Sequence, residues 1–391
     1  MLDALPHKRL SAFYFWYYGL LGITHPFWPI YLSQLNYSAT EIGLLLSAVM
    51  ATRIISPNLW GWLADRTGRR MGTIRLGAFC GTVMFSCIFL VSEFWGMLLV
   101  IAGYSFFWNA VMPQFEAVTL DSLGDRPEDY SRIRVWGSVG FIVAVVMGGY
   151  WFQERIGDFR VAGVFFLAML WASTFMINSP ARSGERKRGP SFGQVLRQWP
   201  VMAFLLASFL VQLAHGIYYT FYSLQLEAAG YSRSQVGYFW ALSVIAEIVI
   251  FLAMRRLLSN WALRDVLVFS LLLTTLRWLL IGLMPGSLSA LIFAQCLHAF
   301  SFAACHAISM EYLRRFFAGN LRGRGQAIYT SVSFGAGGAA GALIGGLLWD
   351  YSGALTFIFA ALVSLAAVAI IQFGLDHRRQ RSARMRKLLE G

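Results

Sequence analysis

The sequence predicts an all-α membrane protein, with twelve transmembrane helices in two six-helix bundles related by pseudo-twofold symmetry. Three observations carry this expectation. Of 391 residues, 58% are apolar and only 13% are charged, where a soluble chain carries about 25% charged residues. The deficit runs the length of the chain, and it resolves into twelve apolar segments near the ~20 residues that a bilayer core requires. A heptad beginning at Tyr37 also returns at Tyr231, nearly half the chain later.

The apolar segments fall at about 11–33, 41–63, 72–91, 95–121, 131–153, 160–179, 200–226, 234–257, 263–284, 287–317, 325–350 and 354–375. In lipid each must be helical, because the backbone has no water to bond. The first run is too long for a cleaved leader and lacks a small-residue cleavage site. A hydrophilic stretch rich in Arg, Lys, Ser, Pro and Gly, residues 181–199, reads as a linker between an N-terminal bundle, 1–180, and a C-terminal bundle, 200–391, that ends in a basic tail.

The net charge of +13 could suggest nucleic-acid binding, but its distribution argues against that. One set of alternate loops holds Lys8 and Arg9; Arg66, Arg69 and Arg70; Arg126; Arg182, Arg186, Lys187, Arg188 and Arg197; Arg255, Arg256 and Arg264; Arg314, Arg315, Arg322 and Arg324; and the tail, 378–387. The other set offers little beyond Arg155, Arg160 and Arg233. By the positive-inside rule both termini and the linker are cytoplasmic. The charge sets topology, with the tail free to touch anionic lipid; no nucleic-acid partner is needed. Cys80, Cys87, Cys296 and Cys305 lie inside apolar runs with no close CxxC pair, so buried free thiols are expected and a metal or redox site is not.

The repeat compares Tyr37-Ser38-Ala39-Thr40-Glu41-Ile42-Gly43 with Tyr231-Ser232-Arg233-Ser234-Gln235-Val236-Gly237. Each copy opens an even-numbered segment, the second and the eighth, and parallel half-repeats are a transporter architecture. The same offset maps Arg53 onto Glu247, one mid-segment charge in each half.

Between segments 2 and 3 stands Gly61-Trp62-Leu63-Ala64-Asp65-Arg66-Thr67-Gly68-Arg69-Arg70. Its glycines permit a tight turn, and Asp65 can face a helix N-terminus. The stretch resembles the GxLaDrxGrR signature of the major facilitator superfamily. That resemblance implies rocker-type alternating access, a gating role for Asp65 and Arg69 in which the aspartate latches the cytoplasmic side against segment 11, and a bacterial inner-membrane location. The Gly-rich residues 335–346 lack the GK[ST] ending of a nucleotide loop and suit close helix packing.

Ionisable groups in a bilayer core cost about 2.5–3.5 kcal/mol each and usually face a cavity and pair. The candidates are Arg53, Glu116, Arg134, Glu247 and Arg277, with His25, His215, His298 and His306; Asn109 and Gln114 add uncharged polarity. Glu247 lies roughly 20 Å from the outer end of its segment and Arg277 roughly 21 Å from the inner end of its own. A Glu247–Arg277 ion pair is expected on depth, and Glu116–Arg134 is a candidate second pair. The segment Gly22-Ile-Thr-His-Pro-Phe-Trp-Pro-Ile-Tyr-Leu32, Glu116 with Arg132-Ile-Arg134-Val-Trp-Gly-Ser-Val-Gly-Phe141, and Glu247, Arg277 and His298 are similar to the lactose permease group. That group's proton-carrying Glu on segment 10 falls on Ser301 here, and its segment 7 aspartates are replaced by the stretch from Ala214 and His215 to Tyr218 and Tyr219. The chain resembles the phenylpropionate permease group more closely, almost end to end, best at Arg134-Val-Trp-Gly-Ser-Val, Ala228-Ala-Gly-Tyr-Ser232 and His298 through His306.

Three deep arginines against two glutamates leave one positive charge, which a monoanionic substrate would neutralise, and arginine takes a carboxylate bidentately. Tyr14, Trp16, Tyr17, Tyr18, Phe27, Trp28, Trp108, Trp136, Tyr218, Tyr219 and Trp240 supply aromatic surface. The expected function is proton symport of a small aromatic carboxylate. Arg134, Arg277, Arg53, His25, Trp136, Tyr218, Tyr219, His306 and Asn109 would bind substrate, and Glu247, His298, Glu116 and His215 would handle the proton. Sugar or nucleoside symport and proton-antiport export of drugs or metabolites are the alternatives. No ATPase motif, cofactor motif, nucleophile–base pair or metal-ligand spacing stands out, so an enzyme is disfavoured. The expected partners are the substrate, protons and lipid, with the chain a monomer.

Overall fold

In the computed structural model, residues 7–124, 126, 129–177 and 192–375 are described. The linker through residue 191, the tail from residue 376, and the side chains of residues 255–259 and 320 lie outside that description, and so do the expectations placed on them.

Twelve long helices follow in chain order. In the N-terminal half they are α1 His7–Gln34, α2 Ala39–Thr67, α3 Arg70–Ser86, α4 Phe94–Leu123, α5 Asp129–Trp151 and α6 Phe159–Thr174. In the C-terminal half they are α7 Trp199–Ala228, α8 Arg233–Asn260, α9 Leu263–Leu283, α10 Leu288–Phe316, α11 Arg322–Trp349 and α12 Gly353–Gly374. Eleven described helices are long and apolar enough to cross a membrane. α1 is the exception: its 28 residues suffice in length, but Tyr14, Trp16, Tyr17, Tyr18, His25, Pro26 and Pro29 dilute its hydropathy. Of these, His25 meets Tyr219 of the opposite half, whereas Trp16 packs against Phe165 and Phe166 of α6.

The heptad repeat has a physical meaning. Ser38 caps α2 and Ser232 caps α8, and in each case the residue three further on, Glu41 or Gln235, bonds back to the cap's backbone N–H. These reciprocal capping boxes satisfy otherwise orphaned donors. The repeat's glycine then serves the interface between halves. A Cβ on Gly43 would lie 2.5 Å from the Ala342 carbonyl oxygen and 3.0 Å from Gly346 Cα on α11; one on Gly237 would lie 2.6 Å from the Val145 carbonyl oxygen and 3.5 Å from Gly149 Cα on α5. Only a hydrogen side chain lets these backbones approach so closely. The two half-to-half seams, α2 on α11 and α5 on α8, are therefore built alike.

The Gly-rich residues 335–346 form part of α11 and pack it between the halves. Gly338 meets Met50 of α2, while Gly341 meets the Leu213 carbonyl of α7. α10 and α11 each contain a π-helical turn, at Ala299–Ala304 and Ser331–Gly337, an irregularity common at functional sites.

The bundle has a basic end, where the α2–α3 turn lies, and a far end, where α2 and α8 begin. At the basic end α2 stops at Gly68, whose φ of 64° is left-handed, a conformation that costs glycine little. Asp65 pairs with Arg70 at 3.3 Å, and Arg70 reaches Asp121 of α4 at 3.4 Å. Asp65 is thus clamped within its own half and not to α11, and Arg69 is exposed at the start of α3. Among the described residues, hydrogen bonds between the halves cluster at the far end. Thr40 donates to Asp350 at 2.6 Å, Arg233 donates to the Phe152 and Gln153 carbonyls at 2.7 and 3.2 Å, and Tyr150 meets Tyr238. One more, Ser331 to the Ile54 carbonyl at 3.4 Å, lies midway. The far end is thus the one at which hydrogen bonds between described residues hold the halves together.

Candidate functional site

The charged groups converge between the halves at mid-depth. α1 contributes Tyr14, Tyr17, Tyr18 and His25, with Tyr18 and His25 seven residues apart on one face. α2 adds Arg53, α4 Glu116, and α5 Tyr130 and Arg134. Opposite stand His215, Tyr218 and Tyr219 on α7, Trp240 and Glu247 on α8, Arg277 on α9, and His298 and His306 on α10. The walls meet where the His25 ring lies edge-on to Tyr219, with centroids 5.3 Å apart.

Arg134 lays its guanidinium over the Tyr18 ring at 3.9 Å from the centroid and 5.8 Å from that of Tyr14, an attraction strengthened by desolvation. Glu116 accepts from the Tyr130 hydroxyl at 3.4 Å. Arg134 and Glu116 lie within each other's field, but they do not close into the expected ion pair: Arg134 takes the Tyr18 face and Glu116 the Tyr130 hydroxyl. Arg53, Glu116 and Arg134 keep partial exposure, so their polar ends remain available to a ligand.

The C-terminal wall departs from expectation in its pairing. Glu247 Oε1 lies 2.8 Å from His298 Nε2, whereas Arg277 goes elsewhere. The arginine is fully buried and donates to the Ala294 carbonyl at 3.1 Å, to Ser301 Oγ at 3.1 Å and to Gln295 Oε1 at 3.5 Å. Its guanidinium also stacks 4.1 Å from the Tyr218 ring centroid and 4.4 Å from that of Trp278. The reason is α10: Gln295, His298 and Ser301 recur at spacing three, so neutral acceptors flank the histidine and take Arg277, leaving the carboxylate to the imidazole. Among the described residues, no full negative charge touches Arg277. Arg134 and Arg277 are the cations whose fields act on Glu247, and Arg134 also acts on His306. The site is thus one electrostatic unit that spans both halves.

His215 is fully buried, with Nδ1 2.8 Å from the Val211 carbonyl. A carbonyl only accepts, so Nδ1 carries the proton and Nε2 presents a bare acceptor; that atom has no partner. His298, Phe302 and His306 form a ladder of parallel rings, with neighbouring centroids 5.8 and 6.0 Å apart.

Two expected site residues and one expected burial are corrected. Trp136 is 48% exposed; two positions from Arg134 it is turned about 200° around the helix, onto the outer face. Asn109 spends its amide on the Val49 carbonyl and Thr52 Oγ1, at 3.1 and 2.9 Å, and so ties α4 to α2. Cys296, expected buried, is exposed, though all four cysteines are free. Gln295 and Tyr130 join the site unanticipated, and Ser301 joins it at the position where the lactose permease group carries a Glu. The spacing of three around His298 and of four before Arg134 is the signal that points to them.

An all-helical bundle whose two halves enclose buried charges at mid-depth defines a secondary-transporter type of membrane protein, and the comparisons agree. The MFS_1-like family model matches residues 7–360, and the chain belongs to that family of major facilitator transporters. It is 31% identical to the "Probable 3-phenylpropionic acid transporter" of Escherichia coli (strain K12) over 371 residues, 92% of this chain and 96% of that one. It is 24% identical to the maltose permease of Geobacillus stearothermophilus over 381 residues, 95% and 94% of the two chains. The crystal structure of the nucleoside transporter NupG superposes with a TM-score of 0.80 at 17% identity, covering 96% of this chain and 100% of that one, a likeness of fold.

Proposed function

We propose that this chain is a proton-coupled symporter that imports a small aromatic carboxylate by alternating access. The observation that carries the reading is the uncompensated cation at the centre. Arg277 is satisfied only by neutral acceptors and Arg134 only by aromatic faces and a distant carboxylate. A carboxylate lodged at Arg134 would supply the missing anion as a bidentate partner, and its ring would lie among Tyr18, His25 and Tyr219. Arg53 and Arg277 set the field, and His306 closes the site toward the basic end. The relative named for phenylpropionic acid supports this substrate class; the maltose permease keeps sugar symport as the second reading.

Glu247 carries the coupled proton in this scheme. Protonation removes the carboxylate charge at the Glu247–His298 contact, and the bound substrate supplies an anion to the deep arginines. The basic end faces the cytoplasm of a bacterial inner membrane, with both termini inside, so the closed far end makes this the inward-open state. Each half moves as a body, the functional unit is one chain, and Asp65 and Arg69 engage α11 only when the basic end closes. A thermal-shift panel with 3-phenylpropionate and maltose at two pH values tests the reading: a ligand at 100 times its Kd adds about 2.7 kcal/mol of stability. Stabilisation by the acid alone is expected, and stabilisation by maltose alone would favour the sugar reading.

A further inference from the structure

Arg75 belongs to no part of the central site. It stands on α3, five residues and about 7 Å inside Arg70 and the basic end. Its Nη2 donates to the Ile177 and Thr174 carbonyls at 3.0 and 3.4 Å, where α6 ends, and its guanidinium lies 5.1 Å from the Phe175 ring centroid. The side chain thus occupies the groove between α3 and α6, on the outer face of the N-terminal half. Leu76, Phe79 and Phe175 are exposed around it. Phe79, one turn deeper on the same face of α3, meets Trp171 of α6 with centroids 5.2 Å apart. In a membrane-spanning bundle such an apolar outer face meets lipid.

The charge of Arg75 is only partly balanced. Arg70 takes both Asp65 and Asp121, and among the described residues no carboxylate reaches Arg75. The last carbonyls of α6 offer the partial charge of a helix C-terminus, about half a unit. Nε is buried without a partner, and among the described residues Nη1 meets no acceptor. A cation at the edge of the hydrocarbon is costly and ordinarily finds an anion. The scaffold itself does not call for this one. The offset that brings Tyr37 onto Tyr231 maps Arg70 onto Arg264 but Arg75 onto Phe269, an exposed apolar side chain of α9. The surface arginine is kept in both halves; the deeper one occurs in the N-terminal half alone.

We propose that the α3–α6 groove at the basic end is a binding site for one anionic phospholipid, with the headgroup phosphate on Arg75 Nη1 and an acyl chain along Phe79 and Trp171. A guanidinium and a phosphate oxygen make a charge-assisted hydrogen bond, and basic pockets between membrane helices suit lipid headgroups. The depth fits, since the headgroup lies at the surface that Arg70 marks while the chain runs down the apolar wall. Free phosphate would satisfy Nη1 but would gain nothing from Leu76, Phe79 and Trp171, so a lipid is the ligand that uses the whole groove. The bound lipid would complete the cap that Arg75 makes on α6 and fasten α3 to α6. This site is independent of the substrate and of the coupled proton.

The test measures binding of phosphatidylglycerol and phosphatidylcholine, with the same palmitoyl and oleoyl chains, to the whole protein in detergent by native mass spectrometry. Wild type is expected to retain phosphatidylglycerol in preference to phosphatidylcholine. Arg75→Gln, whose amide can still donate to the α6 carbonyls, should bind phosphatidylglycerol about 10-fold more weakly, the low end of what a charged hydrogen bond contributes, with phosphatidylcholine unchanged. If the glutamine variant does not fold, Arg75→Lys decides: it keeps the charge and should keep the preference, and equal binding of the two lipids by it overturns the site. Unchanged phosphatidylglycerol binding by Arg75→Gln, or an equal loss of both lipids, also overturns it. So does the same 10-fold loss in Arg9→Gln, which alters an exposed cation at the basic end and would reveal a diffuse surface field. Displacement of the lipid by inorganic phosphate would make this a free-anion site and overturn the lipid.

Discussion

Glu247 pairs with His298, at 2.8 Å, and not with the arginine nearest it in depth. Removing one partner of a buried pair costs about 3–5 kcal/mol, because the other is left uncompensated. His298→Phe should therefore destabilise the protein more than Glu247→Gln, whose amide can still donate to Nε2. A double-mutant cycle in thermal unfolding should give a Glu247–His298 coupling of about 0.5–3 kcal/mol, and a Glu247–Arg277 coupling smaller than that. The reverse order would restore the ion pair expected from depth alone.

Arg134 is held by the Tyr18 face, so its charge alone is not enough. Arg134→Lys keeps the charge but loses the planar fork and the stacking. Carboxylate binding should weaken by about 10–150-fold, the range of a charged hydrogen bond worth ~1.5–3 kcal/mol. Titration calorimetry with 3-phenylpropionate measures it. Binding by the lysine variant as tight as wild type would remove Arg134 from the site.

The Arg233 guanidinium closes the far end by sitting on the last carbonyls beyond α5 while paired with Glu227 at 2.8 Å. A cation at a helix C-terminus also interacts favourably with the helix dipole. Arg233→Gln should shift the protein toward opening at that end, seen as a longer distance between spin labels at Gln153 and Ser234. Gly237→Val, forced against the Val145 carbonyl, should act in the same direction. Unchanged distances in both variants would mean that this seam does not govern closure.

Trp136 and Asn109 provide the contrast. Trp136→Ala should leave 3-phenylpropionate affinity unchanged, because the ring points outward. Asn109→Ala should lower stability by about 1–3 kcal/mol through two lost buried acceptor contacts, again without changing ligand preference. A selective loss of binding in either variant would return that residue to the site.

Much of the scaffold is legible in the sequence because it rests on local chemistry. The Ser38 and Ser232 boxes, the glycines at 43 and 237, and the small residues at 335–346 each encode a contact that spacing alone discloses. Membership of the central cluster is legible too, since charges such as Arg53, Glu247 and Arg277 cannot face lipid cheaply. Partner choice is not, because it depends on helix rotation: Gln295 and His298 precede α10's π-helical turn and Ser301 lies within it. The face of Trp136 follows from its distance to Arg134, so its aromatic character misleads where its spacing does not. Helix α1 shows the converse, since the aromatics and histidine that weaken it as an apolar span are what equip it as a wall of the site.

The most direct test of the account is accumulation of 3-phenylpropionate in liposomes under an imposed proton gradient, with wild type and Glu247→Gln side by side. The account predicts concentrative uptake by wild type, and in the variant retained exchange without accumulation. Full accumulation by Glu247→Gln, or wild-type uptake indifferent to the gradient, would contradict it.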